Sequence, residues 1–255
     1  MRAALRVEGW KLSRSRVPLV TALLLGLLLP SMGLGFYLVA LRGGTGILAD
    51  KAASFLFAEG WVGYLRLVDQ IAAVAAFLGV GVVVAWVFGR EHSDRTFAAL
   101  FSLAVSRTSI AAAKFLVLVA WAVLVSMAVV LVSLALGVVS GVGPIQDERL
   151  VPELLRLFSV TVGASLLALT MALAASWGRG YLPAIGALIV IVAVTQVAVL
   201  FGTGAWFPYA IPGLTAVVGG VGVPAVTPLQ AGLVPLTALA GVMATLLWWR
   251  KAQVV

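Results

Sequence analysis

Glu91, His92 and Asp94 crowd into one turn's length of chain, and carboxylates beside an imidazole are common material for acid–base chemistry. His92 is the single histidine, and there is no cysteine. Multi-histidine and thiolate metal sites are therefore excluded, together with cysteine nucleophiles and disulfides. No HExxH pattern occurs, and no serine in an apolar run has an evident charged or histidine partner. No GxxxxGK[ST] pattern occurs either, so the chain lacks a phosphate loop of its own and is not expected to hydrolyse ATP. Glu91, His92 and Asp94 lie where apolar sequence gives way to charge, with basic neighbours, and they read as solvated interface charges. A membrane-embedded enzyme using them, or a scaffold with no transport role, is the alternative to the reading developed below.

The same stretch carries a second pattern. Phe97, Leu100, Phe101 and Ala104 recur at i, i+3, i+4 and i+7, one apolar stripe on a helix. Ser93 can cap such a helix, and Asp94 in its first turn suits the helix dipole. Thr108 or Ser109 can cap the helix that follows. A short amphipathic helix at 93–103, held in a tight connection between two long apolar runs, reads as a handle by which a separate motor protein moves this one.

The elements that must position this handle are membrane spans. The chain has 255 residues, 63% apolar and only 10% charged, with a mean hydropathy of +1.16. Soluble domains carry about 25% charged residues. Runs at 17–41, 70–89, 115–139, 157–177, 181–202 and 229–249 are each long enough to cross a hydrocarbon core of about 30 Å. No charged residue lies inside these runs, which argues against a carrier coupled to ions or protons. Pro30 predicts a kink in the first span. Small residues in spans two, four and five would permit close helix approach.

The net charge of +8 reads as topology, not nucleic-acid binding. Basic residues gather at 1–16, around the 90–114 connection, at Arg179 and at Arg250-Lys251, which the positive-inside rule places in the cytoplasm with both termini. Residues 1–16, with Trp10, are expected to form an interfacial helix. The loop 42–69 is expected outside, with Trp61 and Tyr64 as aromatic-belt residues. The uncharged Gly/Pro-rich stretch 203–228 is expected to dip back into the outer leaflet, shielded by protein.

Three segments resemble the permease subunits of type-2 (type V) ABC exporters, the small branch that includes lantibiotic-immunity and drug-export permeases. They are RVEGWKLSRSRVPLV at 6–20, the central run of Glu91, Asp94, Thr96, Leu100, Val105-Ser106-Arg107, Ile110 and Lys114, and WFPYAIP from Trp206 to Pro212. Ala104 departs from the family, which often has proline there. The resemblance implies an all-α polytopic membrane protein of six transmembrane helices. It also implies an N-terminal connecting helix, a cytoplasmic coupling helix at 93–103 and a re-entrant outer segment before helix six. The coupling helix would dock on a cytoplasmic ABC ATPase. Phe97, Leu100 and Phe101 would anchor it, and Glu91, Asp94, Arg95 and Arg107 would supply charge complementarity. Trp206, Phe207, Pro208, Tyr209 and Pro212 would be outer-gate candidates. Two ATPase copies would bind ATP and Mg, this chain holding no cofactor itself. A second permease, identical or a sister chain, would complete the complex in a bacterial cytoplasmic membrane. The expected cargo is amphipathic or apolar, moved outward.

Overall fold

A computed structural model of the chain describes residues 1–42, 47, 54, 56, 58–93, 106–217 and 225–251, leaving aside the side chain of His92. α1 runs Arg2–Ser13. Ala4, Glu8 and Leu12, spaced four apart, form its buried face, while Val7 and Trp10 are exposed. The inward face of this helix thus carries an acid.

Span one is built of α2 (Arg16–Leu23), a π turn (Leu24–Leu28) and α3 (Leu29–Arg42). Pro30 is the cause. It has no N–H to give, and its ring crowds the carbonyl one turn earlier. The helix widens just before it, and the Leu29 N–H reaches back five residues to the Leu24 carbonyl. The expected kink takes the form of this wide turn.

α4 is Gly60–Ser93 and α5 is Arg107–Val139. Span four divides into α6 (Leu150–Ala168) and α7 (Met171–Trp177). The joint is a tight turn in which Leu169 and Thr170 donate to Leu166 and Leu167, three residues back. α8 is Tyr181–Leu200; two 3-10 turns and α9 (Ile211–Val217) follow, and α10 is Pro228–Lys251. Among the described residues, six stretches are long and apolar enough to cross a membrane: Arg16–Arg42, Gly60–Glu91, Arg107–Val139, Leu150–Trp177, Tyr181–Leu200 and Pro228–Lys251. No strand occurs among the described residues, and the all-α polytopic fold is as expected.

α4 is the central helix. It packs along α6 and also meets α3, α8, α7 and α9. In lipid no hydrophobic force drives helices together, so close approach matters most. Gly81 of α4 lies against Leu188, and Gly89 against the backbone of Gly180 and Tyr181. α8 is the opposite case: only Ala184 and Leu188 are buried within the chain.

Several expectations are corrected. α4 runs past its apolar run at both ends, and α5 and span four begin eight and seven residues before theirs, because a charge ends a hydrophobic stretch without ending a helix once it finds a partner. Trp61 and Tyr64 are not belt residues in a loop. They belong to α4 and are fully buried. The Trp61 Nε1–H donates to the Pro144 carbonyl at 3.0 Å, and the Tyr64 hydroxyl to the Ser133 carbonyl at 3.1 Å. Gly137 leaves room for the indole: a Cβ there would stand 2.3 Å from its ring. The Ser93 hydroxyl donates to the Gly89 carbonyl at 3.3 Å, one turn back in α4, and the helix it is expected to cap lies outside the described residues. The cap of α5 is Ser106, whose Oγ accepts the Ser109 N–H, and neither Thr108 nor Ser109 fills that place.

Candidate functional site

The site begins with three helix ends that meet. α1 brings Glu8 and Lys11, the last turns of α4 bring Val87, Phe88 and Glu91, and the third turn of α5 brings Lys114. Lys114 is 1% exposed, Glu91 2% and Glu8 6%. An ammonium has three hydrogens to donate. Lys114 has three acceptors: Glu91 Oε1 at 2.8 Å, Glu8 Oε2 at 2.9 Å and the Val87 carbonyl at 3.4 Å. Lys11 closes the cluster from the rim, 3.1 Å from Glu8 Oε1 and 3.5 Å from Glu91 Oε1. Two carboxylates and two ammonium groups balance, which is the condition under which charge can be buried without a heavy penalty. Burial alone would raise the Glu8 carboxyl; Lys114, and then Lys11, outweigh it and hold the group below its ordinary 4.5. Phe88 roofs the cluster, with Phe115 and Trp249 packed on it at 4.9 and 5.9 Å between ring centres. The Trp249 Nε1–H donates to Ser176 Oγ at 3.0 Å, so the ends of α7 and α10 join the same assembly.

These contacts put α1, the end of α4, the start of α5 and the end of α10 at one end of the bundle. The connection 94–105 is bracketed by the two helices that Lys114 locks together. Asp94, Arg95, Phe97, Leu100 and Phe101 lie outside the described residues, as does the whole of the expected helix at 93–103 beyond Ser93 itself. Arg107 opens α5 and is half-buried. Glu91 does not have the solvated setting expected of it; it is engaged by Lys114 and Lys11. A catalytic role for it with His92 and Asp94 would require that engagement to be broken.

The opposite end holds a second ionic group. Arg156 of α6 donates to Asp69 Oδ2 of α4 at 2.7 Å and also pairs with Glu153, which accepts from Arg66 at 3.4 Å. α4 is thus tied to α5 and α1 at one end and to α6 at the other. All of these charges lie toward the ends of their helices, just outside the uncharged runs of the sequence.

The stretch after α8 brings Tyr209 deep into the bundle. Its hydroxyl is 3.0 Å from Thr170 Oγ1, at the tight turn in span four, and its ring meets Phe77 edge-on at 5.5 Å. Phe77 stands midway along the 34-residue α4. Phe207 packs on Tyr209 at 5.5 Å, Pro212 is buried, and Trp206 is 63% exposed. Glu8 escaped sequence reasoning, although an isolated acid at Ala4–Glu8–Leu12 spacing was the signal that could have found it.

A family profile described as ABC-2 family transporter protein matches residues 4–196. No curated protein matches the chain.

Proposed function

The chain belongs to the ABC-2 family of transporter proteins and is a membrane permease; from that premise we propose that it is the membrane body of an ATP-driven exporter moved by a separate ATPase. In this reading 93–103 is the coupling helix. Phe97, Leu100 and Phe101 seat it in a groove of the ATPase, and Asp94, Arg95 and Arg107 match charge around that groove. Glu91 acts differently: held by Lys114, it positions the helix end rather than meeting the partner. ATP and Mg belong to two ATPase copies, and a second permease, identical or a sister, completes the complex.

The observation that carries the reading is the ion cluster of Glu8, Lys11, Glu91 and Lys114. It makes one body of α1 and the two helix ends that bracket 94–105. A push on that connection would then move three helices together, because separating a buried charge from its partners costs about 3–5 kcal/mol. The uncharged middles of the spans favour an amphipathic or apolar cargo. The basic residues at 1–16, 90–107 and 250–251 favour a cytoplasmic placement of the cluster and both termini, in a bacterial cytoplasmic membrane. Tyr209 at mid-height of α4 supports a re-entrant 203–217. There Trp206, Phe207, Pro208, Tyr209 and Pro212 would form the outer gate.

The test is the double variant Phe97→Asp, Leu100→Asp, co-expressed with an ABC ATPase that co-purifies with the wild-type chain. Membrane insertion should be unchanged and co-purification of the ATPase lost. A normal yield of the complex would show that the handle lies elsewhere.

A further inference from the structure

α1 crosses the start of span one and the third span, and an apolar groove remains between them. Leu12, Pro18, Ala22, Val117, Ala120 and Trp121 line it. It opens sideways, where Leu19 is 58% and Leu124 70% exposed. Its lining reaches Ser13 and Pro18, on either side of the turn that carries the exposed Arg14 and Arg16. The Arg14 guanidinium sits 5.2 Å over the ring of the exposed Trp10. Trp10 and Val7 face outward from α1, as they would on a helix half-sunk in a bilayer surface. Glu8 is the one acid before residue 50, and it is turned away into the ion cluster. This end of the groove is therefore positive, with no acid among the residues that line it. A positive rim over an apolar slot that opens toward the membrane has the chemistry of a lipid site, not of a water-facing protein contact.

We propose that this groove holds one acyl chain of an anionic phospholipid, its phosphate resting on Arg14 and Arg16. The lipid wedges under a helix that Glu8 and Lys11 tie to the ends of α4 and α5, so occupancy biases the position of those ends. Binding itself does not depend on the exporter reading, since no ATPase is needed to observe it.

The experiment uses the full chain purified in detergent, titrated with dioleoyl phosphatidylglycerol or dioleoyl phosphatidylcholine and read by native mass spectrometry. The wild type should retain the anionic lipid about thirtyfold more strongly, which is the combined worth of two basic side chains at an anionic surface. Arg14→Gln with Arg16→Gln should erase that preference without shifting the melting temperature, because both side chains are exposed. Ala120→Trp, which fills the slot, should lower retention of both lipids. Equal retention of the two lipids by the wild type overturns the proposal and leaves the groove to a protein partner. A preference that survives the double arginine change overturns the phosphate assignment. Unchanged retention in Ala120→Trp overturns the acyl-chain assignment.

Discussion

Lys114→Met tests the ion cluster most directly. Methionine keeps the stem's volume and removes the charge. Glu8 and Glu91 are then left as two buried carboxylates with Lys11 as their cationic partner among the described residues. Removing one member of a buried pair costs about 3–5 kcal/mol. The lower end applies, because the Lys11 side chain is 28% exposed, already lies within 3.5 Å of both acids and can swing further in. About 3 kcal/mol corresponds to a melting shift of about 6–12 °C for a chain of this size. Adding Glu8→Gln restores electrical balance, so the double variant should lose less than the two single losses together, by about 1–3 kcal/mol. The assay is thermal unfolding in detergent followed by intrinsic fluorescence. A pH arm fixes the sign. Glu8 is held below 4.5, so its contribution is fully present above that value and is lost as pH falls through the depressed one. The gap between wild type and Glu8→Gln should close on acidification below 4.5. A Lys114→Met protein melting within about 2 °C of wild type, or strict additivity in the pair, would refute the reasoning.

Gly89→Ala should destabilise by about 1–3 kcal/mol, because the new Cβ would stand 2.5 Å from the Tyr181 backbone nitrogen, an atom that cannot swing aside. Gly186→Ala is its control: nothing lies within 4 Å, and stability should be unchanged or rise by up to about 1 kcal/mol. Melting curves of the two variants in one detergent decide it. Tyr209→Phe removes the hydroxyl that meets Thr170 and should cost about 1 kcal/mol; Thr170→Val also removes the bond to the Leu167 carbonyl, so the pair should lose less than the sum of the two singles by about 1 kcal/mol. A double-mutant cycle by thermal unfolding checks this.

Hydropathy made the spans legible because a bilayer imposes one length on every crossing. It could not show where helices end, since Lys114 and Asp69 read as boundaries on a one-dimensional plot yet lie inside α5 and α4. Pairings such as Glu8 with Lys114, 106 positions apart, depend on tertiary placement that no local pattern encodes. Trp61 and Tyr64 misled for a related reason. An aromatic near a membrane end suits the interface equally well as a buried position, and only the room at Gly137 and the carbonyls of Pro144 and Ser133 decide between them. The N-terminal helix was visible in composition, whereas the purpose of its lone acid was not. The grip expected at 93–103 lies almost wholly outside the described residues, so its legibility rests on the stripe of Phe97, Leu100 and Phe101 alone.

The wide turn at Leu24–Leu28 acts as a phase corrector. Five ordinary turns advance 18 residues, whereas the inward face of the first span repeats from Pro18 to Tyr37, one position further. The surplus residue is absorbed in the bulge, so the halves before and after it present the same side to their neighbours. Deleting one leucine from this turn would keep both halves correctly rotated, with Pro30 still interrupting the hydrogen-bond ladder, while an insertion or deletion anywhere else in the span would swing one half by about 100°. The first crossing therefore has a single place where its length can change without turning its back on the bundle.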